Sequence, residues 1–156
     1  MTIQMPPLPK ARKAIYDYYK LEFLPDGFPG RRMDDGTVAA HPLYPTYVIG
    51  NYLATFRDTN DHTFIAAAEH IVGLARERMT YLPDHDAFVF YYEPDQKLSA
   101  FPFRFYSGLT QARYLMPLIN LAKLAKKDEY FRFARQIFNS LKVPVSDGGV
   151  LLRTRY

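Results

Sequence analysis

The sequence predicts a mainly α fold, built from helical hairpins of an incomplete (α/α) toroid with a short β-hairpin between two helix pairs. Two observations carry the helical part. Phe64, Ala67, Ala68, Ile71 and Ala75 recur as Tyr130, Phe133, Ala134, Ile137 and Leu141, each displaced by 66 positions (64 to 130). Ile49, Tyr52, Leu53 and Phe56 recur at the same offset as Leu115, Leu118, Ile119 and Ala122. These sets follow the i, i+3, i+4, i+7 spacing of amphipathic helices. Each unit therefore reads as two helices joined by a polar turn, Thr59-Asn60-Asp61 in the first and Lys126-Lys127-Asp128 in the second. A helical hairpin cannot bury its apolar face alone, so repeated hairpins are expected to pack side by side. The third observation is the β-branched and aromatic stretch from Asp86 to Tyr92, which interrupts the helical pattern between the two units.

Along the chain, residues 1–36 read as an N-terminal arm, helix and loop, and residues 37–156 as the partial toroid. The proline-rich start, Met1 to Pro9, predicts an extended arm. Ala14, Tyr18 and Leu21 give helical spacing to Lys10–Leu24, and the turn-rich stretch from Pro25 to Gly36 predicts a loop. The first hairpin is expected from about Tyr44 to Met79. Asp86–Tyr92, the turn Glu93-Pro94-Asp95 and the alternating Phe101-Pro102-Phe103-Arg104-Phe105 predict the β-hairpin. The second helix pair covers Ser107–Lys126 and Asp128–Lys142, with Pro117 inside its first helix, where it should kink the helix or free a carbonyl. Asp147-Gly148-Gly149 then turns into a predicted strand over Val150–Thr154 that has no visible return strand. The chain thus reads as part of a larger fold, completed by further segments or by a second copy.

Composition narrows the function. The 156 residues suit one domain of roughly 100–200 residues, and 48% apolar content is enough for a sizeable core. Thirteen tyrosines and no tryptophan stand out. Most belong to core and boundary positions, yet a tyrosine ring also packs on sugar C–H bonds while its hydroxyl reaches ring oxygens. Twenty basic against 16 acidic residues leave a net charge of +4, which favours an acidic partner. The absence of cysteine excludes disulfides and thiolate metal sites. Neither a membrane-length apolar run nor the apolar core of a secretory leader occurs, so the cytoplasm is the expected compartment and no membrane is expected as a partner. His41, His62, His70 and His85 form no metal signature, and no phosphate loop or nucleic-acid motif is present; no metal, cofactor or nucleic acid is expected.

Tyr106-Ser107-Gly108-Leu109-Thr110-Gln111-Ala112-Arg113, the helical hairpin that follows, and Val143-Pro144-Val145-Ser146-Asp147-Gly148-Gly149-Val150 together resemble the C-terminal domain of the D-glucuronyl C5-epimerase family. His41-Pro42, ahead of the first long helix, resembles that family's His-Pro segment. The chain departs from the family pattern at Ala112, where glycine is usual, and at Arg113, where glutamine is usual. The resemblance implies conversion of D-glucuronate to L-iduronate within an acidic polysaccharide, with no cofactor. It also implies that the family's main proton-transfer residues lie downstream of the Gly-Gly-Val strand.

C5 inversion requires one group to take a proton, another to return it on the opposite face, and a clamp for the carboxylate. Tyr91, Tyr92, Glu93 and Tyr106 are the candidate acid/base residues. His41, Tyr44, Arg104, Gln111 and Arg113 are the candidate substrate-binding residues, with Arg113 as the carboxylate clamp near a helix N-terminus. Most have a structural alternative: a staple before the Ser107 cap for Tyr106, a strand end for Tyr91 to Glu93, a helix entry for His41, and solvated helix positions for Gln111 and Arg113. Two further functions stay open: a non-catalytic helical-repeat module binding a glycan or protein, and another sugar-active enzyme, a hydrolase or lyase, using Glu93, Asp95 or Asp86. Whether the chain is a catalyst by itself is left open by these residues.

Overall fold

The computed structural model describes residues 3–153, and within them the N-terminal arm is fastened to the body of the domain. The Ile3 N–H donates to the Pro25 carbonyl (2.8 Å). Tyr52 donates its hydroxyl to the Pro6 carbonyl (2.6 Å), and Met5 and Leu8 pack on the core. A 3-10 turn (Lys10–Arg12) leads into α1 (Lys13–Tyr18). The helix expected through Lys10–Leu24 stops early, because Lys20 takes a left-handed backbone (φ 51°).

The chain then forms an antiparallel meander of β1 (Leu21–Phe23), β2 (Pro29–Arg32) and β3 (Val38–Ala40). The loop expected over Pro25–Gly36 is therefore half strand: Glu22 faces Gly30, and Gly30 faces Ala40. Gly30 permits this close approach, since a Cβ there would lie 2.5 Å from the Ala39 carbonyl oxygen and 2.6 Å from Leu24 Cδ1. The boundary drawn at residue 36 falls in the turn joining β2 to β3, so one sheet spans both sides of it.

Local signals place the long helices. α2 (Tyr44–Thr59) carries proline in its first turn and ends where Asn60 turns left-handed (φ 54°). α3 (His62–Arg78) starts at Asp61, whose carboxylate accepts from the Thr63 N–H (2.9 Å). β4 (Thr80–Leu82) pairs with β5 (Ala87–Val89), and β6 (Tyr91–Tyr92) pairs with β7 (Phe105–Tyr106). α4 (Gly108–Ala125) is capped by Ser107 and contains Pro117, and α5 (Asp128–Ser140) opens with Asp128 and Glu129, favourable charges for a helix start.

The toroid expectation is overturned. Among the described residues the chain is a small mixed α/β domain, with five helices and three small antiparallel sheets. The helix pairs α2–α3 and α4–α5 pack on one another through α2–α4, and strands cover the flanks: β2 lies on α2, and β5 on α5. A ring would need those flanks for further hairpins. The single expected β-hairpin is also corrected. Its first strand breaks at Phe90, which turns into the core (3% exposed), so β5 and β6 belong to different sheets. The predicted strand Val150–Thr154 is reduced to an isolated bridge between Leu151 and Pro144, and Thr154 lies outside the described residues.

One apolar core joins these parts. Val48, Ile49, Tyr52 and Leu53 from α2 meet Ala68, Ile71 and Ala75 from α3, Leu118 and Leu121 from α4, and Phe133 and Ile137 from α5. Phe28 and Phe90 enter the same core from the strand-rich segments, and both are buried. Nothing in this helix set is long and apolar enough to cross a membrane.

Candidate functional site

Strand geometry separates the predicted acid/base quartet. Successive residues of a strand face opposite sides. Tyr91 therefore pairs in register with Tyr106, its ring edge-on to that of Tyr106 at 6.4 Å, while Tyr92 pairs with Phe105 on the other side. Arg104 packs its guanidinium 3.9 Å above the Tyr91 ring and donates to Glu93 Oε1 (2.8 Å). The Tyr91 hydroxyl donates to the Gly148 carbonyl. Burial raises the Tyr91 phenol above its ordinary value, with Arg104 opposing that shift. Tyr91, Glu93, Arg104 and Tyr106 thus form a self-paired surface cluster in which carboxylate, cation and one phenol already have partners.

On the opposite side, Tyr92 shares a hydrogen bond with Thr110 Oγ1 (2.8 Å) and stacks on Phe105 at 4.7 Å. His41 stacks on Tyr44 at 3.8 Å, meets Tyr92 edge-on, and accepts the Leu43 N–H at Nδ1 (3.2 Å). Burial first, then the nearby Arg31 charge, lowers the His41 pKa from 6.5 to about 4, so the ring is neutral at physiological pH. His41 holds the entry of α2.

Gln111 is corrected outright. It is completely buried, and its amide serves the chain: Oε1 accepts from the Phe90 N–H (2.9 Å), while Nε2 donates to the Phe88 carbonyl (2.8 Å) and to Ser140 Oγ (2.9 Å). That leaves it nothing to offer a sugar. It ties β5 and β6 to α4 and α5 at the point where Phe90 breaks the strand.

Of the predicted residues, Tyr44 and Arg113 line a cleft beside α2. This cavity, of about 540 Å³, lies between α1, α2 and α4 and is walled by Tyr16, Tyr19, Tyr44 and Tyr47, with Arg12 and Arg113 among its lining residues. Tyr19 stacks on Tyr47 with the rings 6.2 Å apart, and Arg113 lies 5.6 Å from the centre of the Tyr47 ring. Tyr44 donates to the Tyr19 carbonyl (2.7 Å), and Asn51 donates to the Tyr16 hydroxyl and to the Tyr47 carbonyl (2.9 Å). Those bonds fix the rings. Burial raises the phenols of Tyr16 and Tyr44, opposed by Arg12 and Arg31 respectively, so both remain protonated at neutral pH.

No acidic residue lines the cleft, and neither Arg12 nor Arg113 forms an ion pair among the described residues. Two unneutralised cations beside aromatic walls make an environment for an anion that also has an apolar face. Among the described residues, no group of three or more His, Asp or Glu side chains is arranged to hold a metal ion.

Sequence reasoning missed Arg12, Tyr16, Tyr19, Tyr47, Gly50 and Asn51. Their signal was present as tyrosines three apart, 16 and 19 at the end of α1 and 44 and 47 on α2, continued by 51 and 54 on α2. Comparison of the chain with protein-family models, with curated proteins and with solved structures finds no match.

Proposed function

We propose that this chain binds an acidic polysaccharide, with the carboxylate of a D-glucuronate residue at Arg113 and the sugar ring against the tyrosine wall of the cleft. The observation that carries this reading is the pairing, around one cavity, of four tyrosines with two cations that have no carboxylate partner or acidic neighbour in the cleft among the described residues. A guanidinium fork matches a carboxylate in two hydrogen bonds, and an aromatic face matches the C–H face of a pyranose. The choice of D-glucuronate rests on the resemblance of the Tyr106–Arg113 and Gly148–Val150 segments to glucuronyl C5-epimerases.

Epimerisation at C5 is the activity that the same resemblance implies, and it is the second reading. It needs a proton acceptor and a proton donor on opposite faces of the sugar. Among the described residues the acid/base groups lining the cleft are phenols, and the raised values of Tyr16 and Tyr44 make them donors rather than acceptors at neutral pH. Binding is therefore preferred over turnover.

One NMR experiment separates the two. A glucuronate oligosaccharide is incubated with the purified chain in D2O. Binding predicts saturation transfer to the sugar protons, lost in Arg113→Gln, with the C5–H signal constant. Decay of the C5–H signal would replace the binding reading with the epimerase. Absence of any transfer would remove both.

A further inference from the structure

The tyrosine cleft does not end at Arg113. Thr46, Tyr47, Gly50 and Arg113 also line a second cavity of about 340 Å³, which continues along α4 beside Met116, Pro117 and Asn120. Gly50 lies inside α2, outside the left-handed region, and a Cβ placed on it meets no atom within 4 Å. Helix-interior glycine is unfavourable relative to alanine. Here the missing side chain leaves the floor open where the two cavities meet. Pro117 lines the second cavity, one turn beyond the shared Arg113. It has no N–H, so the Arg113 carbonyl one turn earlier loses its helical donor.

We propose that the two cavities form one through-groove crossing α2 at Gly50, and that it holds an internal stretch of polysaccharide longer than a disaccharide. This rests on the acidic-glycan reading above. Gly50 is then a specificity-determining position, because a side chain there divides the groove in two at the residues that both cavities share.

The test is calorimetric titration of the chain with glucuronate-containing disaccharide, tetrasaccharide and hexasaccharide, alongside thermal unfolding. The tetrasaccharide is expected to bind about tenfold more tightly than the disaccharide. In Gly50→Leu that gain disappears and the tetrasaccharide falls to disaccharide affinity, with a melting temperature at or above that of the unsubstituted chain. Gly73→Leu is the control. Gly73 lies inside α3, also with open space at its Cβ, and lines neither cavity, so its variant should keep the tetrasaccharide gain. If Gly50→Leu unfolds, Gly50→Gln, with a good helix former, carries the same prediction.

Equal affinity for disaccharide and tetrasaccharide would overturn the through-groove and leave the binding reading standing. So would a Gly50 variant that folds and keeps the full gain. Absence of binding by all three sugars would overturn both.

Discussion

Gln111 and Arg113 lie two positions apart on α4 and are used in opposite ways. Gln111 points into the core, where each end of its amide is bonded to the chain. Arg113 points into the cleft, beside the Tyr47 ring, with no carboxylate partner among the described residues. One helix thus carries a polar knot on one side and a groove on the other. A buried polar group is expensive to leave unpaired, so a fully bonded one belongs to the fold, whereas a cation facing an open cavity is available to a ligand. The difference predicts that substitutions at the knot act on stability and substitutions at the groove act on binding.

The largest effect is expected at the knot. Gln111→Ala removes the side-chain partner of the Phe90 N–H and the Phe88 carbonyl, takes one donor from the Ser140 hydroxyl and opens a cavity, for a loss of about 4 kcal/mol in urea unfolding. A loss below about 1 kcal/mol would mean that water replaces the amide and the knot is not structural.

His41 lies between the two regions, on Tyr44 toward the groove and edge-on to Tyr92 toward the knot. Its folded pKa of about 4 lies below the ordinary 6.5, so between those values the unfolded chain binds more protons. Stability contributed by neutral His41 is therefore complete above pH 6.5 and is lost as pH falls toward 4. The total is about 3 kcal/mol. Urea unfolding across that window checks it, and His41→Gln should flatten the profile. An unchanged slope would show that other groups set the acid limit.

Tyr114, like Gln111, is fully buried on α4, and donates its hydroxyl to the Pro42 carbonyl (2.6 Å). Tyr114→Phe should cost about 1–2 kcal/mol. At the groove the sign reverses: Gly50→Ala should stabilise by about 0.5–1 kcal/mol, through helix propensity alone. Arg113→Gln should change stability by less than about 0.5 kcal/mol and still abolish glycan binding. A large destabilisation by Arg113→Gln would assign Arg113 to the fold instead and break the contrast with Gln111.

Legibility in the sequence followed the range of the interactions. The apolar residues at helical spacing, Ala67, Ala68 and Ile71 on α3 and Phe133, Ala134 and Ile137 on α5, do lie in the core. Their period is a local property of the chain. Strand pairing is not local. The stretch from Asp86 to Tyr92 looks like one strand because its residues share β propensity, but the buried Phe90 divides it between partners at Thr80–Leu82 and Phe105–Tyr106. Gly30 likewise looked like part of a turn, and only the approach of Ala39 and Leu24 shows why a strand residue there must lack a side chain. At the site, Arg113 was legible as a cation near a helix start. Gln111, from the same segment, was assigned to ligand binding because nothing local shows which of two neighbouring polar residues turns inward.

The sequence by itself determined where the long helices run, which faces they bury and where they stop, since caps such as Asp61 and Ser107 and the left-handed Asn60 and Lys126 act within a few residues. It also determined a basic, tyrosine-rich composition without thiols. Tertiary structure decided the rest. Helix pairs became a mixed α/β domain because strands from distant segments cover their flanks, and Tyr16, Tyr19, Tyr44 and Tyr47 became one wall because Asn51 and Tyr44 of α2 bond to Tyr16 and Tyr19 across the cleft. Periodicity acts along the chain, while closure of a groove depends on which surfaces meet after the core has formed.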